Sequence, residues 1–239
     1  MCIRDRAQHE LTAQNGAIDH TLAYTPLVHI AGSQHREIAL TFDDGPGPYT
    51  QQVLSVLQRE NVPATFFEVG VLERYFHDAT SRIVSLGYPL GDHTFAHAPM
   101  SHLSASEQQY QLLEQVRVIQ QYGAPFPRLF RPPYGLWNRT TIGLLHKYRM
   151  LMILWTVDTE DYRQPGTAAI IHSAVSGARP GAIVLMHDAG GNRAQTVAAL
   201  PTIIHDLHAR GYKLVTVPQL LLDNPPPRNQ QVPLGAGGG

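Results

Sequence analysis

Short apolar runs rich in β-branched and aromatic residues recur between residues 37 and 217, each separated from the next by a segment with helical spacing. The runs at 37–42, 64–69, 87–90, 128–131, 150–157, 182–187 and 213–217 read as strands. Patterns near 50–60, 74–86, 105–122, 139–148, 167–177 and 195–210 read as helices. Val53, Leu54 and Leu57 make the apolar stripe of the first helix, and Ser104 with Glu107 three residues on forms a capping-box signature at the start of the third. Strand–helix alternation of this kind argues for a parallel sheet, open or closed. Asp43 and Asp44 follow the first strand, Asp158 the fifth and His187 the sixth. Strand C-terminal ends are where barrel enzymes place their sites, which favours a barrel, although pattern alone leaves an open doubly wound sheet in play.

At 239 residues, with 43% hydrophobic and 15% charged residues, the chain has material for one large folded domain. A net charge of −1 and scattered Lys and Arg give no field to recruit nucleic acid or an anionic membrane. The single cysteine, Cys2, excludes disulfides and thiolate metal sites within one chain. No run approaches the ~20 apolar residues of a membrane span. Met1-Cys2-Ile3-Arg4-Asp5-Arg6 has no apolar core of a signal peptide. The hexapeptide resembles translated adapter sequence at the edge of a gene fragment, so the natural start and any export signal are expected upstream. Residues 1–36 are mixed and polar and read as an irregular arm with one short extended piece near Leu22–Ile30. Residues 37–223 form the expected domain, and the Pro- and Gly-rich stretch 224–239 reads as a disordered tail.

Thr41-Phe42-Asp43-Asp44-Gly45-Pro46 sets two adjacent carboxylates at a strand end, where they repel unless a cation sits against them. His93-Thr94-Phe95-Ala96-His97 supplies two imidazoles at i and i+4, a spacing that can aim both from one helical turn at one ion. One Asp as third ligand leaves positions open for water and substrate; the other stays free as a base. Two His and one carboxylate also suit non-haem iron, but a second carboxylate fits hydrolysis better. The alternatives are loop histidines that cap backbone groups and an Asp pair that caps the following helix. No G-x-S-x-G occurs, which disfavours a serine hydrolase, and Gly45-Pro46-Gly47-Pro48 lacks the third Gly of a dinucleotide fingerprint.

With Arg131-Pro132-Pro133-Tyr134-Gly135, Asp158-Thr159-Glu160-Asp161-Tyr162 and Leu185-Met186-His187, these fragments make five motifs in order over roughly residues 37–220. In this the chain resembles the polysaccharide deacetylase family, the NodB-homology domain of carbohydrate esterase family 4. The resemblance implies an α/β fold, a distorted (β/α) barrel of about seven parallel strands. It implies Asp43 as general base, paired with Arg131, and Asp44, His93 and His97 as ligands of one divalent ion, zinc with cobalt or manganese as alternatives. It implies that a water activated by the ion attacks an acetamide carbonyl, that the Tyr134 backbone N–H helps hold the oxyanion, and that His187, oriented by Asp158, is the general acid. Pro133, Tyr162, Leu185 and Trp137 are expected on the substrate side, Leu185 lining the acetyl pocket; Trp137 reads first as core or pocket wall and, following the Pro-rich loop, is also placed to stack on a sugar. Tyr162 stands where the family usually has Trp, which bears on substrate preference. Trp155 is expected in the core or pocket wall, and His102, His205 and His208 as bystanders, with Asp188 a bystander or a group that supports a turn or the site from behind. The implied activity is N-deacetylation of a GlcNAc-containing polysaccharide, chitin- or peptidoglycan-like, by a monomer that is secreted or held at the cell envelope. An O-acetyl xylan esterase using the same site, or a non-catalytic glycan-binding relative, are the alternatives.

Overall fold

The computed structural model describes residues 3–230. The expectations for Cys2 and for residues 231–239 lie outside them. In chain order the strands are β1 (Leu27–Val28), β2 (Glu37–Gly45), β3 (Thr65–Glu68), β4 (Leu90–Asp92), β5 (Leu129–Phe130), β6 (Leu151–Ile153), β7 (Val157–Asp158), β8 (Ile183–His187) and β9 (Lys213–Val215). The helices are α1 (Ile3–Leu22), α2 (Thr50–Glu60), α3 (Gly70–Glu73), α4 (His77–Ser85), α5 (Ala105–Gln121), α6 (Arg139–Tyr148), α7 (Thr167–Ser176), α8 (Ala194–Ala209) and α9 (Val217–Asp223).

The strands form one parallel sheet in the order β1-β6-β5-β4-β3-β2-β8-β7, with β9 also paired to β2. β6 and β7 are successive pieces of chain, yet β6 pairs with β5 and β1 while β7 pairs with β8, so the sheet wraps round on itself. Past β1, an antiparallel bridge between Ile30 and Ala182 and the Ala31 N–H donating to the Gly181 carbonyl at 2.9 Å close the seam. The distorted barrel expected from the sequence is therefore present, and a strand forms at or beside each of the seven anticipated runs, the one expected at 87–90 starting only at Leu90 and running to Asp92. The arm contributes β1 as an extra strand, and the single run at 150–157 is broken into β6 and β7, because the Thr156 N–H leaves the line of β6 to bond the Ile183 carbonyl at 2.9 Å.

β2 is buried along nearly its whole length, which is why it reads as an unbroken apolar run rather than an alternating one. The period of two still operates. Ile38, Leu40 and Phe42 face outward into a core with α2, α7 and α8, built on Val53, Leu57, Ala174, Ile203 and Leu207. Ala39 faces inward with Phe67, Leu129, Ile153, Ile183 and Val215. Thr41 and Asp43 continue this inward row toward the mouth of the barrel. Ser104 caps α5 in a reciprocal capping box with Glu107, as its spacing predicts.

Two expectations fail at the ends. The arm is not irregular: residues 3–22 form α1, which packs on α9, with Ile18 and Thr21 buried and the Gln14 amide donating to Gln219 at 3.0 Å. Its polar composition hides a stripe carried by little more than Ile18 and Leu22. Residues 224–230 are not a loose tail. Asn224 is fully buried, accepts from the His35 N–H at 2.6 Å and donates to Glu37 at 2.9 Å. Further on, the Tyr24 hydroxyl donates to the Pro226 carbonyl at 2.8 Å, and Gln230 accepts the His29 N–H at 3.0 Å.

Candidate active site

The parallel register sets the chemistry in one layer. Asp43 is level with His187 on β8 and with Phe67 on β3, and Glu68 is level with Asp92 on β4. Because Asp43 ends the inward row of β2, its carboxylate lies inside the barrel mouth and is 3% exposed. Arg131, at the end of β5, reaches it through the barrel interior: Nη1 donates to Asp43 Oδ1 at 2.7 Å and to Thr41 Oγ1 at 2.8 Å. Nε donates to the Ile153 carbonyl at 3.0 Å and Nη2 to the Leu154 carbonyl at 3.2 Å, and the cation lies over the Phe67 ring at 4.1 Å. A buried ion pair is sustained when its leftover donors are satisfied in this way.

Asp44 takes φ 70°, a left-handed conformation that turns its side chain out of the barrel row and toward the loop after β4. His93 and His97 converge on it, their Nε2 atoms 3.5 and 3.0 Å from Asp44 Oδ1. They do not share a helical turn, contrary to the reading of their spacing. Residues 93–97 are an irregular loop with Thr94 at φ 68° and His97 at φ 52°, and the reversal brings the two rings to 5.0 Å. His93 Nδ1 lies 2.7 Å from the Arg131 carbonyl, and His97 Nδ1 lies 3.1 Å from the Tyr134 hydroxyl. One ligand atom from each of Asp44, His93 and His97 lies within 4.8 Å of the other two. Burial pushes the Asp44 carboxyl up, but hydrogen bonds from the two imidazoles outweigh it and hold the group well below the usual carboxylate range. Gly190, at φ 71°, is what admits Asp44 here: a Cβ on it would come 2.3 Å from Asp44 Oδ2. Two neutral-capable imidazoles with occupied Nδ1 atoms, an ionised carboxylate and space beside them fit a divalent cation of the zinc type.

His187 ends β8. Its Nδ1 is 2.7 Å from Asp161 Oδ1, and its backbone N–H donates to Asp161 Oδ2 at 2.8 Å. Thr196 on α8 donates to the same carboxylate at 2.7 Å. Burial alone would lower the imidazole, but the Asp161 hydrogen bond and charge, then Asp44 and Asp43, push it up to about 9. Asp158, expected to orient His187, does not bond it. Its carboxylate accepts the Glu160 N–H at 2.8 Å, and the left-handed Glu160 (φ 51°) then carries the chain round so that Asp161 faces β8. The spacing Asp-x-x-Asp was visible in the sequence, but which Asp meets the histidine depends on that turn.

Between the two groups opens a cleft of about 660 Å³, lined by Asp43, Asp44, His93, His97, Tyr134, Asp158, Leu185 and His187, with Leu72, Pro132, Trp155, Tyr162 and Arg193 among the others. Tyr162 stands edge-on to His187 at 5.5 Å. Two expected substrate contacts fall elsewhere. Pro133 is buried behind the loop, and its neighbour Pro132 lines the cleft instead. Trp137 packs in the core with Met100, Phe130 and Leu145, because the turn at Gly135 swings it behind the cleft, and Trp155 supplies the aromatic wall. Of the two readings of Asp188, the structure favours the supporting one. It is fully buried, accepts from Thr50, and burial with the nearby Asp44 and Asp43 charges raises it to about 7. Glu68, Glu73 and Asp92 form a further buried acidic layer, bonded by Thr80, Gln115 and the Thr94 N–H. One oxygen of each of these four acids is buried without a hydrogen-bond partner.

A curled parallel barrel whose mouth holds an Asp-His-His cluster between a buried Arg–Asp pair and a buried His–Asp pair is the arrangement of a barrel hydrolase. The family model for polysaccharide deacetylases matches residues 31–153. The chain is 36% identical over 199 residues to a chitooligosaccharide deacetylase of Bradyrhizobium, covering 77% of this chain and 90% of that protein. The crystal structure of the Bc1960 peptidoglycan N-acetylglucosamine deacetylase superposes with a TM-score of 0.79 at 29% identity, covering 82% and 92% of the two chains. A CE4 family pseudoenzyme from Bacillus anthracis superposes with a TM-score of 0.77 at 30% identity, covering 82% and 69%. The chain belongs to the polysaccharide deacetylase family.

Proposed function

We propose that the protein is a metal-dependent hydrolase that removes N-acetyl groups from a GlcNAc-containing polysaccharide, chitin- or peptidoglycan-like. The observation that carries this reading is the convergence of Asp43–Arg131, Asp44–His93–His97 and His187–Asp161 on one open cleft. Relatives active on chitooligosaccharide and on peptidoglycan support the substrate class. Family membership alone is not enough, since one relative is a pseudoenzyme; the reading rests on the side chains present here.

Asp44, His93 and His97 hold the divalent cation, which when bound polarises the scissile carbonyl and acidifies water. Asp43, oriented by Arg131, accepts the proton of the attacking water. The water oxygen forms the new bond to the acetyl carbon, and the backbone N–H of Tyr134 donates to the oxygen that becomes negative. His187, kept protonated by Asp161, gives its proton to the nitrogen as the C–N bond breaks, so that an amine rather than an amide anion leaves. Leu185, Trp155 and Tyr162 wall the space for the acetyl methyl. Zinc suits the ligand set, and cobalt or manganese would serve the same geometry. The reading places the protein, as a monomer, where such polymers lie, at or beyond the cell envelope.

Acetate release from chitin oligomers, peptidoglycan and acetylated xylan, after chelation and zinc reconstitution, tests the proposal. Release from an N-acetylated polymer, abolished by chelator and restored by zinc, is expected. Full activity of metal-free protein, or release from xylan alone, would overturn it.

A further inference from the structure

We infer that the Tyr134 side chain is a positioning residue of the cation site, acting on His97 through its phenol oxygen. This rests on the reading of Asp44, His93 and His97 as ligands. An imidazole that binds a cation through one nitrogen carries its proton on the other, and an acceptor there fixes the tautomer and the ring. For His93 that acceptor is the Arg131 carbonyl, 2.7 Å from Nδ1. For His97 it is the Tyr134 phenol oxygen, 3.1 Å from Nδ1, with Nε2 left facing Asp44 at 3.0 Å. The two acceptors lie three residues apart, so one loop orients both imidazoles.

The backbone is arranged for this contact. Tyr134 has φ 59°, a left-handed conformation that a non-glycine residue resists. The turn throws its ring back over His97, edge-on at 4.7 Å and 68°. Tyr134 remains 63% exposed, so burial in a core does not explain its orientation. A tyrosine that only walled the cleft would be matched by phenylalanine; the hydroxyl is what reaches Nδ1.

The test is Tyr134→Phe, which keeps the ring and removes the oxygen. Zinc affinity, measured by competition with a chelating dye, should fall about 10- to 100-fold, the usual cost of losing an outer partner of a ligand. In the zinc-loaded wild type, proton–nitrogen NMR should show hydrogen-bonded imidazole N–H signals for both His93 and His97. The variant should lose the His97 signal and keep that of His93. Unchanged affinity with both signals retained would overturn the inference alone. A wild type that binds no zinc would overturn the ligand reading and this inference with it.

Discussion

The His187 imidazole is almost completely enclosed, and an enclosed imidazole ordinarily loses its proton. Here Asp161, with help from Asp44 and Asp43, reverses that and raises it to about 9. A cation on Asp44 cancels part of this help, so the alkaline limb of the pH–rate profile in loaded enzyme should lie below that value. Asp161→Asn should lower kcat/KM by about 100- to 10,000-fold, as expected for loss of an effective general acid, and shift the alkaline limb downward. Asp158→Asn should leave the limb in place; a shift in that variant instead would reverse the assignment. Gly190 gives a second test. Alanine there would put a methyl 2.3 Å from Asp44 Oδ2 in a backbone conformation at φ 71° that alanine resists. Zinc affinity of Gly190→Ala, followed by dye competition, should fall by more than about tenfold. Most of the site was legible: Asp43, Asp44, His93, His97, Leu185 and His187 line the cleft, and Arg131 holds Asp43 from the barrel interior. Trp155 is in the pocket wall, one of the two places expected for it, whereas Asp161 and Gly190 carried no signal of their roles, and Trp137 and Pro133 do not line the cleft. Each depends on a turn at Glu160, Gly135 or Gly190 whose direction residue order does not encode.

Strands and helices of the barrel carry strong local signals, and the loops between them do not. α6 and α2 begin and end where their periodicity places them: each carries an apolar stripe against the sheet and ends at a left-handed residue, Arg149 and Asn61, and Asn138 caps the start of α6. β6 and β7 read as one strand, since apolarity persists across Leu154 and Trp155 while the backbone changes partners. α1 escaped because its apolar stripe is as short as Ile18 and Leu22, and the strap at 224–230 because its contacts are polar and long-range. The strap is therefore the place to test an element. Asn224 satisfies the His35 N–H and Glu37 at once, and its carbonyl accepts the Gly32 N–H at 3.0 Å. Asn224→Ala should leave buried groups unpaired and lower unfolding free energy by about 1–3 kcal/mol, measured by urea titration. A midpoint equal to wild type would show that the strap contributes nothing to folding.

At the scale of the whole fold, buried acids outnumber buried cations among the described residues. Burial raises Glu73 to about 8 and Asp188 to about 7, and pushes Glu68 and Asp92 upward as well. A carboxyl whose folded value lies above its unfolded one stabilises below the unfolded value and loses that contribution as pH rises to the folded one. For Glu73 the window runs from 4.5 to about 8, and for Asp188 from 3.8 to about 7. His187, raised from 6.5 to about 9, works in the same direction. Asp44 and Asp161 are lowered, so their contribution is present above 3.8 and fails only on strong acidification. The thermal midpoint of chelator-treated protein should therefore fall steadily from about pH 5 to about pH 9. A flat or rising profile would show that the acidic layer is ionised in the folded state. The same layer makes folding a proton-consuming event near neutrality. The heat of unfolding measured by calorimetry should then differ between phosphate and Tris at one pH, because each buffer accepts the released protons with its own enthalpy, and the difference counts them.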